Sequence, residues 1–95
     1  LHVISIKLLR DFWEVHPDTA EPLRTWYKAA EKAEWTSIVD VRQTYPHADF
    51  VGPHHTVFNV GGNKCRLVVK IEYAFKLIFV ENVLTHEEYD EGKWK

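Results

Sequence analysis

Residues 64–73, KCRLVVKIEY, set apolar side chains at every second position, directly after the run VFNV at 57–60 and a Gly61-Gly62-Asn63 turn. Successive side chains of a strand point to opposite faces. Cys65, Leu67, Val69, Ile71 and Tyr73 are therefore expected in the core, and Lys64, Arg66, Val68, Lys70 and Glu72 toward solvent. Gly61 and Gly62 take positive φ at no steric cost and Asn63 tolerates it, which suits a tight hairpin. The consequence is an antiparallel sheet carrying three cations on one surface.

Ninety-five residues with 45% hydrophobic content fit one domain over residues 1–95. A chain of this size buries somewhat over ~60% of its unfolded surface and does not support two cores. Four Trp, five Phe and four Tyr supply large packing units in place of disulfides or metals. Cys65 is the single cysteine, so an internal disulfide framework and a multi-cysteine metal site are both excluded, and its place on the apolar face makes it a small buried hydrophobe. The longest purely apolar run, Leu77 to Val80, is far short of the ~20 residues of a membrane span, and nothing resembles a signal peptide. The reading is a soluble, cytoplasmic protein. A net charge of −2 argues against a generic electrostatic nucleic-acid binder, although a local cationic groove can coexist with a mildly acidic whole.

Along the chain, residues 1–6 read as a short strand and 7–15 as a helix with Leu8, Leu9, Phe12 and Trp13 at helical spacing. His16-Pro17 breaks it. Asp18 with Glu21 predicts a capping box for a second helix, whose stripe is Leu23, Trp26, Tyr27, Ala30 and Ala33 and whose end falls near Glu34. Thr36 or Ser37 caps a third, short helix holding Ile38 and Val41 and stopped by Pro46. Strands follow at 50–51, 55–60, 64–73 and 77–85. Thr85 and Glu88 predict another capping box for a terminal turn over 86–90, and 91–95 read as frayed. Helices first and a meander after them give an α+β fold, with N-terminal helices packed on a small, mostly antiparallel sheet.

Two groups of residues carry chemistry. Lys64 and Arg66 share a strand face about 7 Å apart, a spacing that can clamp a phosphate between a planar fork and a point charge. Solvated surface charge is the plainer alternative, and Lys70 further along the stripe shares it. His86, Tyr89 and Asp90 stand at i, i+3 and i+4 and so share one helix face, putting a titratable imidazole, a phenol and a carboxylate together. A capping histidine with a sheet-closing tyrosine is the plainer alternative there. Adjacent His54 and His55 point oppositely in a strand and cannot chelate one ion, so no metal site is expected. Gly61-Gly62-Asn63-Lys64 lacks the Walker spacing and leads into a strand, which argues against a nucleotide-hydrolysing phosphate loop.

The segments VISIKLLRDFWEVHPDTAEPLRTWYKAA, WTSIVDVRQTYPHADFVG, VFNVGGNKCRLVVKIEY and IFVENVLTHEEYD, in this order, closely resemble HigB-type toxins of bacterial type II toxin-antitoxin systems, a branch of the RelE-like superfamily. The resemblance spans nearly the whole chain. It implies a RelE-like fold and an endoribonuclease, an mRNA interferase, that cuts messenger RNA on the ribosome by 2′-OH attack on the adjacent phosphate, with no metal or other cofactor. In this family's terms Arg66 would stabilise the scissile phosphate, with Lys64 assisting or holding a neighbouring one. His86 would transfer protons, Tyr89 stack or orient the RNA, and Asp90 tune His86. Asn63 and Lys70 would bind RNA, and Asn59 could hydrogen-bond it too, although shaping the turn is the stronger reading for Asn59. The implied partners are messenger RNA, the ribosome and a HigA-like helix-turn-helix antitoxin, with no membrane, and DNA contacted only through the antitoxin. The competing reading is a non-catalytic RNA- or protein-binding module of the same fold.

Overall fold

The computed structural model describes residues 1–62, 64–92 and 94. In chain order it comprises strand β1 (His2–Ile4), helix α1 (Ile6–Val15), a 3-10 turn (Pro17–Thr19), α2 (Ala20–Lys32) and α3 (Ile38–Thr44). Strands β2 (Asp49–Val51), β3 (His55–Val60) and β4 (Cys65–Glu72) follow, then a second 3-10 turn (Tyr73–Phe75), β5 (Leu77–Thr85) and helix α4 (His86–Asp90). The strands form a five-stranded sheet in the order β1-β5-β4-β3-β2. Only the β1–β5 pairing is parallel, so the α+β, mostly antiparallel arrangement expected from the sequence is the one observed. Among the described residues no helix is long and apolar enough to cross a membrane.

One face of the sheet is closed by α1, α2 and α3. Leu9, Leu23, Trp26, Ala30 and Val41 from these helices are buried together with Phe58, Leu67, Val69, Ile78 and Val80 from the strands. Phe58 is the hub: its ring meets Trp26 at 5.4 Å and Tyr45 at 5.4 Å edge-on and stacks near Trp35 at 6.1 Å. Edge-to-face pairs satisfy the ring quadrupoles while excluding water, which adds to the area term. Glu31 fastens α2 to the sheet edge by accepting a hydrogen bond from the Val3 amide at 2.7 Å.

Local departures from the sequence reading have local causes. Asp18 does not cap α2, because Pro17 opens a 3-10 turn and Thr19 becomes the residue before the helix, its hydroxyl donating to the His16 carbonyl at 2.7 Å. Before α3 the order of capping is reversed: the Asp40 carboxylate, inside the helix, accepts from the Thr36 amide and hydroxyl at 2.9 and 2.6 Å. By contrast the Thr85–Glu88 capping box of α4 forms as read, with the threonine oxygen accepting from the Glu88 amide at 3.1 Å and the glutamate from the Thr85 amide at 2.9 Å.

The alternation in β4 holds for direction but not for exposure. Val68, expected in solvent, is fully buried, as is its cross-strand partner Val57 at 4% exposure. Alternation decides which side of a sheet a residue points to, not whether that side is covered. Here the outer side is packed as well, with α4 lying against β4 and β5. Lys64 departs too, lying before β4 rather than in it. At the hairpin tip Gly61 and Gly62 have φ of 68° and 69°, and a Cβ on Gly61 would come within 3.3 Å of the Pro22 ring, so this turn is fitted against α2.

Candidate active site

The covered outer face of the sheet brings together residues from β3, β4 and α4. In the β3–β4 register Asn59 stands opposite Arg66, and such directly paired residues on one sheet face have neighbouring Cβ atoms. Arg66 is half-buried, and its guanidinium donates from Nη1 to Asn59 Oδ1 at 2.7 Å and from Nη2 to His86 Nδ1 at 2.8 Å. Arginine has donors and no acceptor, so in this contact His86 Nδ1 must be the acceptor. The ring proton of the neutral imidazole then sits on Nε2, which faces Asp90 Oδ2 at 3.2 Å. The i, i+4 spacing of His86 and Asp90 on α4 sets up that approach. Guanidinium, imidazole and carboxylate thus form one connected line.

Tyr89 joins it from the middle of α4. The Arg66 guanidinium lies 5.9 Å from its ring centroid, within cation–π range. Burial raises the Tyr89 phenol above its ordinary value, the Asp49 and Asp90 carboxylates add to the rise, and Arg66 opposes it. The phenol therefore stays protonated at neutral pH, a donor rather than a base. A small cleft of about 170 Å³ opens here, bounded by His47, Asp49, Val57, Asn59, Arg66 and Tyr89. Such a set can hold an oxyanion on a fork of donors next to one proton acceptor and one proton donor.

Of the residues singled out in the sequence, Arg66 and Tyr89 line this cleft, and His86 and Asp90 connect to it through Arg66. Lys64 is directed elsewhere: its ammonium donates to the Asp18 carbonyl at 3.3 Å and lies 4.0 Å from the Asp18 carboxylate. It borders a larger cleft of about 520 Å³ on the helical side, which also reaches Asn59. Asn59 thus lines both clefts. Lys70 is further along β4 and paired with Glu72 at 3.2 Å, and Asn63 lies outside the described residues. Cys65 is buried, and burial pushes its thiol up to about 11, as befits an inert core residue.

Asn59, named from the sequence chiefly as a turn-shaping residue, stands at the cleft through its pairing with Arg66. His47, in the loop after α3, and Asp49, the first residue of β2, were not singled out and had no signal in the sequence. His55 is held by Glu81 at 2.7 Å. Glu81 is the extra residue of a bulge, since Val68 pairs with Asn82 and Val69 with Val80.

A family model described as HigB toxin, the RelE-like toxic component of a toxin-antitoxin system, matches residues 19–92, from the start of α2 through α4 and the whole candidate site. The chain belongs to this family. Membership makes it the toxin half of a pair, and an antitoxin is its implied partner. HigB-type relatives are similar over nearly the full chain. The mRNA interferase toxin HigB of Escherichia coli K12 and the mRNA interferase HigB of Shigella flexneri are each 29% identical over 93 residues, covering 95% of this chain and 88% of their own. The mRNA interferase HigB of Escherichia coli O6:H1 is 26% identical over 92 residues, covering 95% and 89%.

Proposed function

We propose that this toxin is an mRNA interferase that cleaves messenger RNA at the Arg66 cleft by a metal-independent transesterification. The observation that carries the reading is the double engagement of Arg66, donating at once to His86 Nδ1 and Asn59 Oδ1. Without substrate the guanidinium caps the imidazole lone pair. A phosphate is a stronger, charged acceptor for the same fork. When it draws Arg66 away, Nδ1 becomes free to take the proton of the ribose 2′-OH, and Asp90 stabilises the resulting imidazolium. The 2′-oxygen then forms a bond to phosphorus while the phosphorus–O5′ bond breaks, giving a 2′,3′-cyclic phosphate and a 5′-OH. Arg66 stabilises the added charge of the phosphorane, and the protonated Tyr89 phenol supplies the proton to the departing O5′.

In this reading Lys64, at the adjoining cleft, holds a neighbouring phosphate, and Lys70 and Asn63 bind RNA outside the reacting centre. The reaction takes place in the cytoplasm on messenger engaged by the ribosome. A HigA-like helix-turn-helix antitoxin covers the same face and connects the toxin to DNA. Inducing the wild type and an Arg66→Ala, His86→Ala double variant in cells, followed by primer extension on abundant messages, tests the assignment. New 5′ ends with the wild type and none with the double variant are expected. Toxicity without new ends would favour a non-catalytic RNA- or protein-binding module, and full cleavage by the double variant would remove the site from this cleft.

A further inference from the structure

The segment after α4, read from the sequence as frayed, instead packs Trp94 against the site. Helix α4 ends at Asp90, and Gly92 with φ of 74° donates its amide to the Tyr89 carbonyl at 3.0 Å. A residue in the left-handed region just past a helix end reverses the chain, and glycine adopts it without strain. The reversal returns Trp94 to the helix it has just left. Its ring is parallel to Tyr89, with centroids 5.4 Å apart and planes 5° from one another, and it meets the His55 ring edge-on at 5.8 Å. His55 is itself fixed by Glu81. Arg66, Tyr89, Trp94, His55 and Glu81 therefore form a continuous chain of contacts from the bulge in β5 to the guanidinium.

We propose that Trp94 is a positioning residue of the toxin, which holds the Tyr89 ring against Arg66 and so sets where the guanidinium and the phenol meet the phosphate. The inference rests on the endoribonuclease reading and extends it to a residue beyond the 19–92 match. Two physical points support it. Helix α4 has five residues, too short to hold an aromatic side chain in one place by its own hydrogen bonds. Arg66 reaches Tyr89 only through a cation–π contact at the edge of its range, so a ring free to turn would no longer guide it. Small misplacements of catalytic groups are costly in rate, whereas binding of the remaining RNA chain is unaffected by them.

Single-turnover cleavage of a defined message on programmed ribosomes separates the possibilities, with Trp94→Ala, Trp94→Leu and Trp94→Phe beside the wild type and Arg66→Ala. A loss of about tenfold in the cleavage rate is expected for Trp94→Ala and Trp94→Leu, with half-saturation unchanged and with Trp94→Phe restored to near the wild-type rate. Trp94→Leu keeps apolar cover without a stacking ring, so it decides the matter if Trp94→Ala does not fold. Wild-type rates in a folded Trp94→Leu variant, or a rate loss that Phe does not rescue, would overturn the positioning role. If the wild type leaves the message uncut, the endoribonuclease reading itself fails, and if Arg66→Ala cleaves as fast as the wild type the site lies elsewhere, results distinct from either of these.

Discussion

The two faces of the sheet are both covered, but by unequal means. On the inner face three helices bury Phe58, Trp26, Leu67 and their neighbours in a continuous apolar layer. On the outer face, where a five-residue helix and one returning tryptophan pack, Val57 and Val68 are buried while Arg66 and Asn59 border a cleft and His86 is bonded to Arg66. The inner face supplies stability by area, while the outer face spends little area and holds polar groups in register. The separation teaches that stability and the proposed chemistry can be altered independently in a small domain.

The comparison can be broken most forcefully at Phe58. Removing its ring empties the centre of the inner layer, so Phe58→Ala should cost about 3–5 kcal/mol of stability by denaturant unfolding. A cost under about 1 kcal/mol would mean that the inner face is not the main source of stability. Next comes Arg66→Ala, which should lower message cleavage by roughly 10²–10³-fold, the usual scale for losing an oxyanion-stabilising donor, while leaving the unfolding midpoint nearly unchanged. A large drop in midpoint would join the two faces that the account separates.

Cys65 sharpens the contrast through pH. Burial raises its thiol from 9.0 to about 11 in the folded state, so the folded protein holds this proton more tightly than the unfolded chain. The associated stability is present below pH 9 and is lost as pH rises through about 11. Wild-type stability should therefore fall more steeply over that window than that of Cys65→Val, as followed by urea midpoints at a series of pH values. The smallest effect is expected at Lys70, whose exposed pairing with Glu72 contributes little. Lys70→Gln should change stability by less than about 0.5 kcal/mol in denaturant unfolding.

What the sequence discloses follows the range of the forces involved. Strand β3 was readable to its ends because turn residues bound it on both sides, β5 because a helix-capping threonine closes it, and the α4 capping box because both partners lie within four residues. Asp18 misled because Pro17 supplies a competing local start. Val68 misled for a different reason: period-two alternation is local, whereas burial of the outer side is tertiary. The cleft was half visible in the same sense. Arg66 and the His86–Asp90 group could each be singled out, and Asn59 was named with turn-shaping as its stronger role, but the approach of Glu81 to His55 and the return of Trp94 onto Tyr89 depend on packing that no motif records.

The central claim is that the outer face cleaves RNA through Arg66 and His86, and the chemistry of the cut ends tests it most directly. Message cleaved by wild-type toxin on programmed ribosomes should carry 2′,3′-cyclic phosphate and 5′-OH termini by mass spectrometry, and His86→Ala should produce neither. Termini with a 5′-phosphate, or cyclic ends formed at the wild-type rate by His86→Ala, would contradict the account.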